Sequence, residues 1–475
     1  MQKKFFSNLL LLVVLNLVIK PIAIFGIDTW VQNRVGAEAY GFYFSLLNLS
    51  LLFNILMDLG INNFTTKNVA QYPHIVSRYL GKVLMFRLLL FILYAIITFG
   101  TAWILGYDKV NFQILCFLVF NQFLIVLIAY LRSHFSGLLL FRWDALFSVM
   151  DRLLLIFLCG YVLITTTGAP FKIEWFVWIQ TACYSLTLTT AYFVLMWKIG
   201  RPRFKLDFVF SIAIVRKSFP YALLILLMMF YTRQDSIMLE RLLPDGAFQA
   251  GVYAQGFRLL DAFYMFGMLF TSLLFPLFSH QVKKKAENQE LLLLSTKLLT
   301  GGAIVLGVVC YVYAETILGW IYVNNVQDSI QSFQYLMLAF ISMSVSLVFG
   351  TFLTAASELK FLNRVALVGI LINFGLNLWL IPEYGAAGAA IATLITQVYC
   401  SLLQIKQVVK YFGHSAFQQV LLRMLVLTGI VLLITQFEIN IFVFLGLGTF
   451  ALVFVKVWDV KEMSKLLPSL KSSKK

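Results

Sequence analysis

The chain contains about fourteen predominantly apolar runs, each about eighteen residues or longer, which is the length a helix needs to cross a bilayer. A membrane β-barrel would instead show segments of about ten residues with alternating hydrophobicity. Hydrophobic residues make up 61% of the 475 positions and charged residues only 12%, so little chain is left for a soluble domain. The sequence therefore predicts an all-α polytopic membrane protein. The predicted spans fall near residues 5–27, 40–60, 83–106, 112–131, 145–166, 175–197, 219–242, 249–275, 291–317, 334–357, 363–381, 386–405, 418–436 and 440–457.

The gaps between the apolar runs alternate sharply in charge. About 27 of the 37 lysines and arginines fall in every second gap or in the two tails, and about 4 fall in the other gaps, whereas Lys and Arg are retained on the cytoplasmic side of a membrane. The pattern predicts that both ends of the chain are cytoplasmic. It also explains the formal net charge of +16 without a nucleic-acid partner, because the excess sits in short loops between apolar runs.

The most basic gap, residues 198–217, follows the sixth run and contains a proline. We interpret it as the linker between two halves of six helices each. The expected organisation is an N-terminal six-helix bundle over residues 1–200, a basic cytoplasmic linker over 201–218, a C-terminal six-helix bundle over 219–412, and two additional helices with a basic cytoplasmic tail over 413–475.

A short internal repeat is in keeping with two halves. Residues 36–43 read GAEAYGFY and open the second run, and residues 246–253 read GAFQAGVY and open the eighth. Because both halves would start from the cytoplasm, the repeat would be parallel, with its axis along the membrane normal.

Three cations lie well inside apolar runs, at or outward of the predicted midplane: Lys20, Arg233 and Arg258. A charge inside a bilayer is costly, so such side chains face the bundle interior or a water-filled cavity. The functional interpretation is an anion-binding site in a central cavity. The alternative is that these cations pair with local acids and only fix the packing of helices. Three further cations, Arg87, Arg152 and Lys297, lie near inner ends and are expected to extend to the cytoplasmic interface.

Four acidic residues are candidates for ion coupling or gating. Asp235 is two residues from Arg233, so the two side chains project about 200° apart on a helix and each needs its own partner. Asp235 is either a coupling-ion carboxylate or a partner for one of the other cations. Asp261 lies three residues after Arg258, on the same face, where the two can neutralise each other. Asp151 and Asp58 lie near inner ends and are expected to make gate or packing contacts.

Other polar and small residues fit packing more readily than chemistry. Asn373 and Asn377 are one helical turn apart and are weak candidates for sugar contact, since interhelical hydrogen bonding also explains such amides. Residues 384–392 offer small side chains at four-residue spacing, which lets helices approach closely. The sequence contains no glycine-rich phosphate loop, no HExxH and no GxSxG. We therefore expect no catalytic residue, no bound metal, no cofactor and no ATP hydrolysis within this chain.

Several stretches together resemble a known family. They are residues 31–43 (VQNRVGAEAYGFY), 58–63 (DLGINN), 231–239 (YTRQDSIML), 251–254 (GVYA) and 381–388 (IPEYGAAG). Their order and spacing are similar to those of bacterial lipid-linked oligosaccharide flippases, the O-antigen and capsule translocases of the multidrug/oligosaccharidyl-lipid/polysaccharide exporter superfamily. The similarity runs along most of the chain.

The resemblance implies a fold of two six-helix bundles around a central V-shaped cavity, with two C-terminal helices. It implies a polyprenyl-pyrophosphate-linked oligosaccharide substrate, moved across the bacterial inner membrane by alternating access coupled to an ion gradient or the membrane potential. Lys20, Arg233 and Arg258 would then pair with the pyrophosphate, for which Arg offers bidentate contacts. Membrane lipids and other polysaccharide-assembly proteins would be the partners.

Three alternatives stay open at this point. A drug or metabolite antiporter of the same superfamily would share the fold, although three interior cations suit an anionic substrate better than a cationic drug. A flippase for a lipid-linked cell-wall precursor is a close relative of the favoured function. A membrane glycan polymerase or ligase would need a sizeable outer loop with catalytic side chains, and the longest outer gap, about 318–333, contains no Lys or Arg.

Overall fold

A computed structural model of the chain describes residues 14–62, 65, 66, 69, 76–166, 170–200, 204, 207–281 and 288–458. Over this part of the chain the secondary structure is helical and contains no strand. Three basic stretches of the chain lie at least partly outside the described residues, namely 282–287, the tail from 459 onward, and positions 201–203 and 205–206 of the linker.

The helices follow one another with short connections. Helix α1 covers residues 14–22 and continues through a π-helical segment, Ala23–Asp28, into α2. The others are α2 (Thr29–Leu52), α3 (Ile55–Asp58), α4 (Val76–Ile104), α5 (Lys109–Gly137), α6 (Phe141–Phe147), α7 (Met150–Thr165), α8 (Ile173–Ile199), α9 (Phe208–Leu242), α10 (Gly246–Gln281), α11 (Asn288–Val312), α12 (Ala314–Ile321), α13 (Val326–Ala355), α14 (Leu359–Phe412), α15 (His414–Ile434) and α16 (Ile441–Phe454).

Wherever the structure describes them, the predicted runs are helical over most of their length, and three of them, 40–60, 145–166 and 291–317, are each divided between two helices by a short turn. Among the described residues, nine helical stretches are long and apolar enough to cross a membrane. Two of these, Val14–Asp58 and Leu359–Phe412, each contain two predicted runs. The predicted all-α membrane fold is therefore confirmed, and several helices, such as α14, extend well beyond the predicted spans.

Two glycines separate the paired runs inside those long stretches. Gly36 has φ 84° and ψ 169°, and Gly385 has φ 54° and ψ −130°. A residue with a β-carbon rarely adopts a positive φ, whereas glycine does so without steric cost. Both glycines lie where the sequence predicts an outer turn, so each lets one span end and the next begin almost without a connecting loop.

The described chain forms two compact units, with the boundary between Ala254 and Gln255. This boundary lies inside α10, whereas the predicted linker lies at 201–218. In the first unit α9 packs against α2, so the seventh predicted span belongs with the N-terminal helices. The organisation into two six-helix bundles stays a prediction.

Each unit has its own apolar core. In the first unit, side chains of α4, α5 and α8 meet around Leu80, Tyr130 and Leu195, all fully enclosed. In the second unit, α11 packs against both α15 and α16 around Val309, Leu427 and Phe444. The two additional C-terminal helices are thus built onto the second unit through α11.

Large apolar side chains cover much of the exposed helix surface. Phe157, Leu433 and Phe454 are each about 70% exposed (70%, 66% and 71%), and Trp103 and Trp379 are 77% and 63% exposed. A soluble monomer rarely exposes apolar surface on this scale. The chain is therefore a multi-pass membrane protein, and its exposed apolar surface suits contact with lipid.

Candidate functional site

Lys20 belongs to a group of charged side chains inside the first unit. It is half-buried on α1 and interacts electrostatically with Arg152, Arg132 and Asp151. Arg152 and Asp151 lie at the start of α7, where the arginine Nε is 3.4 Å from the Asp151 Oδ2. Arg132 extends from α5 and pairs through Nε with Asp144 Oδ1 on α6 at 2.8 Å. Two predicted site residues, Lys20 and Asp151, thus share one electrostatic environment with two arginines.

A hydrogen bond fixes α1 beside α7 next to this group. Asn16 Nδ2 donates to Ser148 Oγ at 2.9 Å, and both side chains are buried. Lys20 lies four residues after Asn16, and Arg152 lies four residues after Ser148. Lys20 therefore lies about one helical turn beyond this contact on α1, whereas Ser148 lies in the turn between α6 and α7 and Arg152 in the first turn of α7.

Asp28 is a functional candidate that the sequence did not indicate. It is buried, with 6% of its surface exposed, and it contributes to the electrostatic environment of Arg152. It ends the π-helical segment Ala23–Asp28, and single π-helical turns occur often at functional sites. At the end of an apolar run, Asp28 looks like an ordinary loop residue. The sequence feature that could have indicated Asp28 is its position as an acidic residue directly after the predicted first span.

Arg233 and Asp235 contact different partners on neighbouring helices. Arg233 Nη1 lies 3.5 Å from Asn48 Oδ1 on α2, a long hydrogen bond. Asp235 is 1% exposed, and its Oδ2 accepts a 2.8 Å hydrogen bond from the Tyr253 hydroxyl on α10. Asn48 in turn donates to Ser236 Oγ at 2.8 Å. The segment containing Arg233 and Asp235 is therefore tied into a buried polar network within the first unit.

Arg87 is enclosed and does not extend to the interface, so the prediction for it is wrong. Its side chain is 0% exposed. One terminal nitrogen donates to Asp58 Oδ1 and Asn62 Oδ1, both at 2.8 Å, and the other donates to the Met57 carbonyl at 3.1 Å. The guanidinium also lies 4.6 Å from the centre of the Tyr130 ring. The partners on α3 and just after it make the interior more favourable for this charge than the interface.

Lys297 and Arg152 are the other two cations that the sequence predicts to extend to the cytoplasmic interface. Lys297 is 5% exposed on α11, so its predicted extension to the interface is also wrong. The Arg152 side chain is 31% exposed and takes part in the charged group around Lys20.

The remaining predicted residues lie in the second unit. Arg258 and Asp261 are half-buried on α10. Asn373 and Asn377 are fully enclosed on α14, and Asn377 Nδ2 donates to Asn373 Oδ1 at 3.2 Å. With this burial, the two amides take part in the interior packing of α14.

The comparisons with known proteins agree on the fold. The family model described as "Polysaccharide biosynthesis protein" matches residues 5–282, more than half of the chain. A search of curated proteins finds no match. Among solved structures, the lipid II flippase MurJ in an inward closed conformation aligns with a TM-score of 0.68 at 15% identity, covering 97% of this chain and 99% of MurJ.

Multidrug transporters also share the fold. An inward-facing multidrug resistance MATE family transporter of the MOP superfamily aligns with a TM-score of 0.61 at 13% identity, over 83% of this chain and 96% of that protein. A MOP superfamily transporter from Pyrococcus furiosus gives 0.62 at 13% identity, over 86% and 96%. These neighbours are transporters and a flippase rather than enzymes. The chain therefore belongs to the polysaccharide biosynthesis protein family and has the membrane fold shared by MurJ and the MATE transporters.

Proposed function

We propose that this protein is a flippase that translocates polyprenyl-pyrophosphate-linked oligosaccharide repeat units, such as O-antigen or capsule units, across the bacterial inner membrane. The observation that carries the proposal is the group of cations within a multi-pass protein of the polysaccharide biosynthesis family. Lys20, Arg132 and Arg152 supply positive charge where a diphosphate would have to cross the apolar layer. The likeness to MurJ, a lipid II flippase by name, supports a lipid-linked substrate.

Movement would proceed by alternating access, driven by an ion gradient or the membrane potential. Both termini would be cytoplasmic, as the distribution of lysine and arginine indicates. The diphosphate would contact interior cations, including Arg233 and Arg258, the sugar would stay in an aqueous path, and the polyprenyl chain would remain in the bilayer. Asp235, Asp261, Asp151 and Asp58 would serve coupling or gating, with Asn373 and Asn377 as weaker candidates for sugar contact.

A small-molecule antiporter is the second candidate, and the likeness to MATE transporters favours it. The charge of the preferred substrate separates the two functions, because interior cations attract anions and repel cationic drugs. A lipid-linked cell-wall precursor would bind to the same cations. The identity of the sugar therefore distinguishes the two candidate flippase substrates. A glycan polymerase is less well supported, because the neighbouring folds belong to transporters.

The test is reconstitution into liposomes with polyprenyl-pyrophosphate oligosaccharide in both leaflets, followed by an assay of how much substrate is accessible from outside. Protein-dependent equilibration under an imposed gradient or potential would support the flippase. If the lipid-linked sugar does not move between leaflets but a small organic cation exchanges against protons or sodium, the protein is an antiporter and not a flippase.

A further inference from the structure

We propose that four exposed cations at one end of α14, in the second unit, bind the headgroup of an anionic phospholipid whose acyl chains lie along the same helix. The cations are Lys360 and Arg364 near the start of α14, and Lys406 and Lys410 near its end. The occupant is a lipid of the surrounding membrane, not the substrate of the proposed flippase.

Helix α14 folds back on itself, so that its two ends lie together. The non-helical Gly385 divides it into an arm of residues 359–384 and an arm of residues 386–412. At the other end of this hairpin, the Tyr411 hydroxyl donates a 2.8 Å hydrogen bond to Oε1 of Glu358, which directly precedes the first arm. The two arms are almost equal in length. The cations near the start and near the end of α14 therefore lie at the same end of the hairpin.

Each arm carries one stripe of exposed side chains at spacings of three or four residues, which place them on one face of a helix. The stripe on the first arm consists of Lys360, Arg364, Leu367 and Leu371, and the stripe on the second arm consists of Lys410, Lys406, Leu402 and Val398. Both stripes therefore run from two cations at the end of the hairpin to apolar side chains nearer its turn. An anionic phospholipid has the same order of groups, with a phosphate followed by acyl chains.

The two stripes lie on the outer surface of the second unit. Leu371 is 64% exposed, whereas Asn373 is fully enclosed. On the second arm, Leu402 is 58% exposed and Gln404 is 8% exposed. Two residues along a helix project about 200° apart, so the stripes point away from the interior of the unit. A lipid on these stripes stays in the surrounding bilayer and does not enter the protein.

The charge at this end of the hairpin favours an anion. The two arms contain a single acidic residue, Glu383, which lies beside the turn at the opposite end. Glu358 lies near the cations, but its Oε1 accepts the hydrogen bond from Tyr411. None of the four cations forms a hydrogen bond or an ion pair with another residue that the structure describes. Clusters of lysine and arginine directly beside a membrane helix attract anionic headgroups.

The test measures the affinity of phosphatidylglycerol for the purified full-length protein in a neutral detergent, by native mass spectrometry. Phosphatidylcholine with the same acyl chains is the comparison lipid without net charge. The double variants Lys360→Gln/Arg364→Gln and Lys406→Gln/Lys410→Gln each remove the two cations of one arm.

The matched control is Lys109→Gln/Lys172→Gln, which removes two exposed lysines of the first unit and changes the net charge by the same amount. We expect wild type and this control to bind phosphatidylglycerol equally, and more tightly than phosphatidylcholine. Each lysine or arginine near an anionic surface strengthens binding about fivefold, so each α14 double variant should bind phosphatidylglycerol about 25-fold more weakly. Phosphatidylcholine should bind all four proteins alike.

Two further measurements separate a lost site from a misfolded protein. The Tm of both α14 double variants without added lipid should equal that of wild type, because these cations form no hydrogen bond or ion pair with the residues that the structure describes. Lys406→Arg/Lys410→Arg keeps the charge and should retain binding. Equal affinity of wild type for the two lipids, or unchanged affinity for phosphatidylglycerol in both glutamine variants, would overturn the site.

Competition identifies the occupant. Glycerol 3-phosphate has the phosphate without the acyl chains and should not displace phosphatidylglycerol. Displacement at similar concentrations would mean that the site takes a soluble anion, which overturns the assignment to a lipid. Polyprenyl diphosphate should displace no better than phosphatidylglycerol itself, and displacement at a tenfold lower concentration would assign the surface to the transported lipid instead. Because these are binding measurements, a failure of wild type to translocate lipid-linked sugar would count against the proposed function alone.

Discussion

Gly41 on α2 and Gly251 on α10 each approach the backbone of the other helix so closely that neither position has room for a β-carbon. A β-carbon on Gly41 would lie 2.7 Å from Gly251 Cα and would overlap the Ala247 carbonyl oxygen. A β-carbon on Gly251 would lie 2.9 Å from Ala37 Cα and would overlap the Ala37 carbonyl oxygen. Gln32 Nε2 also donates to the Gly251 carbonyl at 3.0 Å.

These four residues occupy equivalent positions in the internal repeat. Ala37 and Gly41 in the first copy correspond to Ala247 and Gly251 in the second. Each glycine meets the alanine of the other copy, which is the reciprocal contact that a two-fold axis produces between two like surfaces. The repeat is thus a packing device, and its glycines are required by the close approach of α2 and α10.

Substitution of either repeat glycine by alanine should destabilise the protein. Gly41→Ala and Gly251→Ala each place a methyl group against backbone atoms, and overpacking of this kind costs about 1–3 kcal/mol. Thermal unfolding in detergent should show a lower Tm for both. Gly100→Ala is the control, because a β-carbon on Gly100 of α4 would meet nothing within 4 Å. An unchanged Tm for both repeat variants would contradict the close approach.

The sequence was sufficient to predict the helical membrane fold, because spans of about twenty apolar residues and the lysine–arginine bias are direct consequences of the bilayer. It did not predict the boundary between Ala254 and Gln255. That boundary depends on how α9 packs against α2, and long-range packing leaves no signal in the local composition. The basic linker indicated a plausible division of the chain but carried no information about which helices pack together.

Removal of Asp58 from its ion pair with Arg87 should destabilise the protein more than removal of Arg87. Asp58→Ala leaves a fully enclosed guanidinium without its carboxylate, and loss of one partner of a buried pair costs about 3–5 kcal/mol. Arg87→Met leaves Asp58, whose side chain is 24% exposed, able to recover hydration. We therefore expect Asp58→Ala to unfold at a lower denaturant concentration than Arg87→Met.

A second ion pair provides the control for that comparison. Lys82 and Asp207 lie 2.8 Å apart, but both side chains are about one-third exposed (34% and 31%). Exposed pairs contribute about 0–1 kcal/mol, so Asp207→Asn should leave the denaturation midpoint almost unchanged. If Asp58→Ala and Asp207→Asn behave alike, the buried network around Arg87 does not stabilise the protein as described.

Asp235 should be required for transport in a way that depends on its carboxylate. Asp235→Asn keeps the size of the side chain and an acceptor for the Tyr253 hydroxyl but removes the charge, and we expect it to abolish surface glycan export while the protein still inserts. Tyr253→Phe removes only the 2.8 Å hydrogen bond and should reduce export less. Cell-surface glycan, measured against the amount of protein in the membrane, distinguishes these outcomes. Normal export by Asp235→Asn would exclude the carboxylate from coupling.

Tyr107 should contribute to stability only while its hydroxyl is protonated. It lies in the connection between α4 and α5, donates to Glu240 Oε2 at 2.8 Å, and lies under the Arg241 guanidinium at 3.6 Å. Burial, together with the Glu240 carboxylate, raises the pKa of Tyr107 from 10.0 to about 12. A raised pKa means that the folded state favours the protonated phenol. Its contribution is therefore complete below pH 10 and is lost as the pH rises towards 12.

Measurement of Tm against pH for wild type and Tyr107→Phe tests whether the stabilisation by Tyr107 is lost as the pH rises. Wild type should be the more stable by a roughly constant margin up to about pH 9, since a single hydrogen bond contributes about 1 kcal/mol. The margin should narrow above pH 10. A margin that widens at high pH would mean that the folded state prefers the phenolate.

The candidate site was only partly predictable. Lys20 and Asp151 stood out because ionisable residues in apolar runs are rare, but their partners could not be read from spacing. Arg132 and Asp28 lie near or beyond the ends of predicted spans, where charged residues are common and carry little information. The prediction for Arg87 is wrong because its sequence position near the end of a span does not show the direction of its side chain. An arginine at such a position can extend to the interface or turn inward to a partner such as Asp58.

The most direct test of the central claim is the leaflet distribution of polyprenyl-pyrophosphate oligosaccharide in proteoliposomes containing wild type, Arg233→Ala or Lys20→Gln. The account predicts that wild type equilibrates the lipid between leaflets under an imposed ion gradient or potential, and that both variants, folded and reconstituted at equal density, do so at least tenfold more slowly. Equal rates in all three, or no movement by wild type under any gradient, would contradict it.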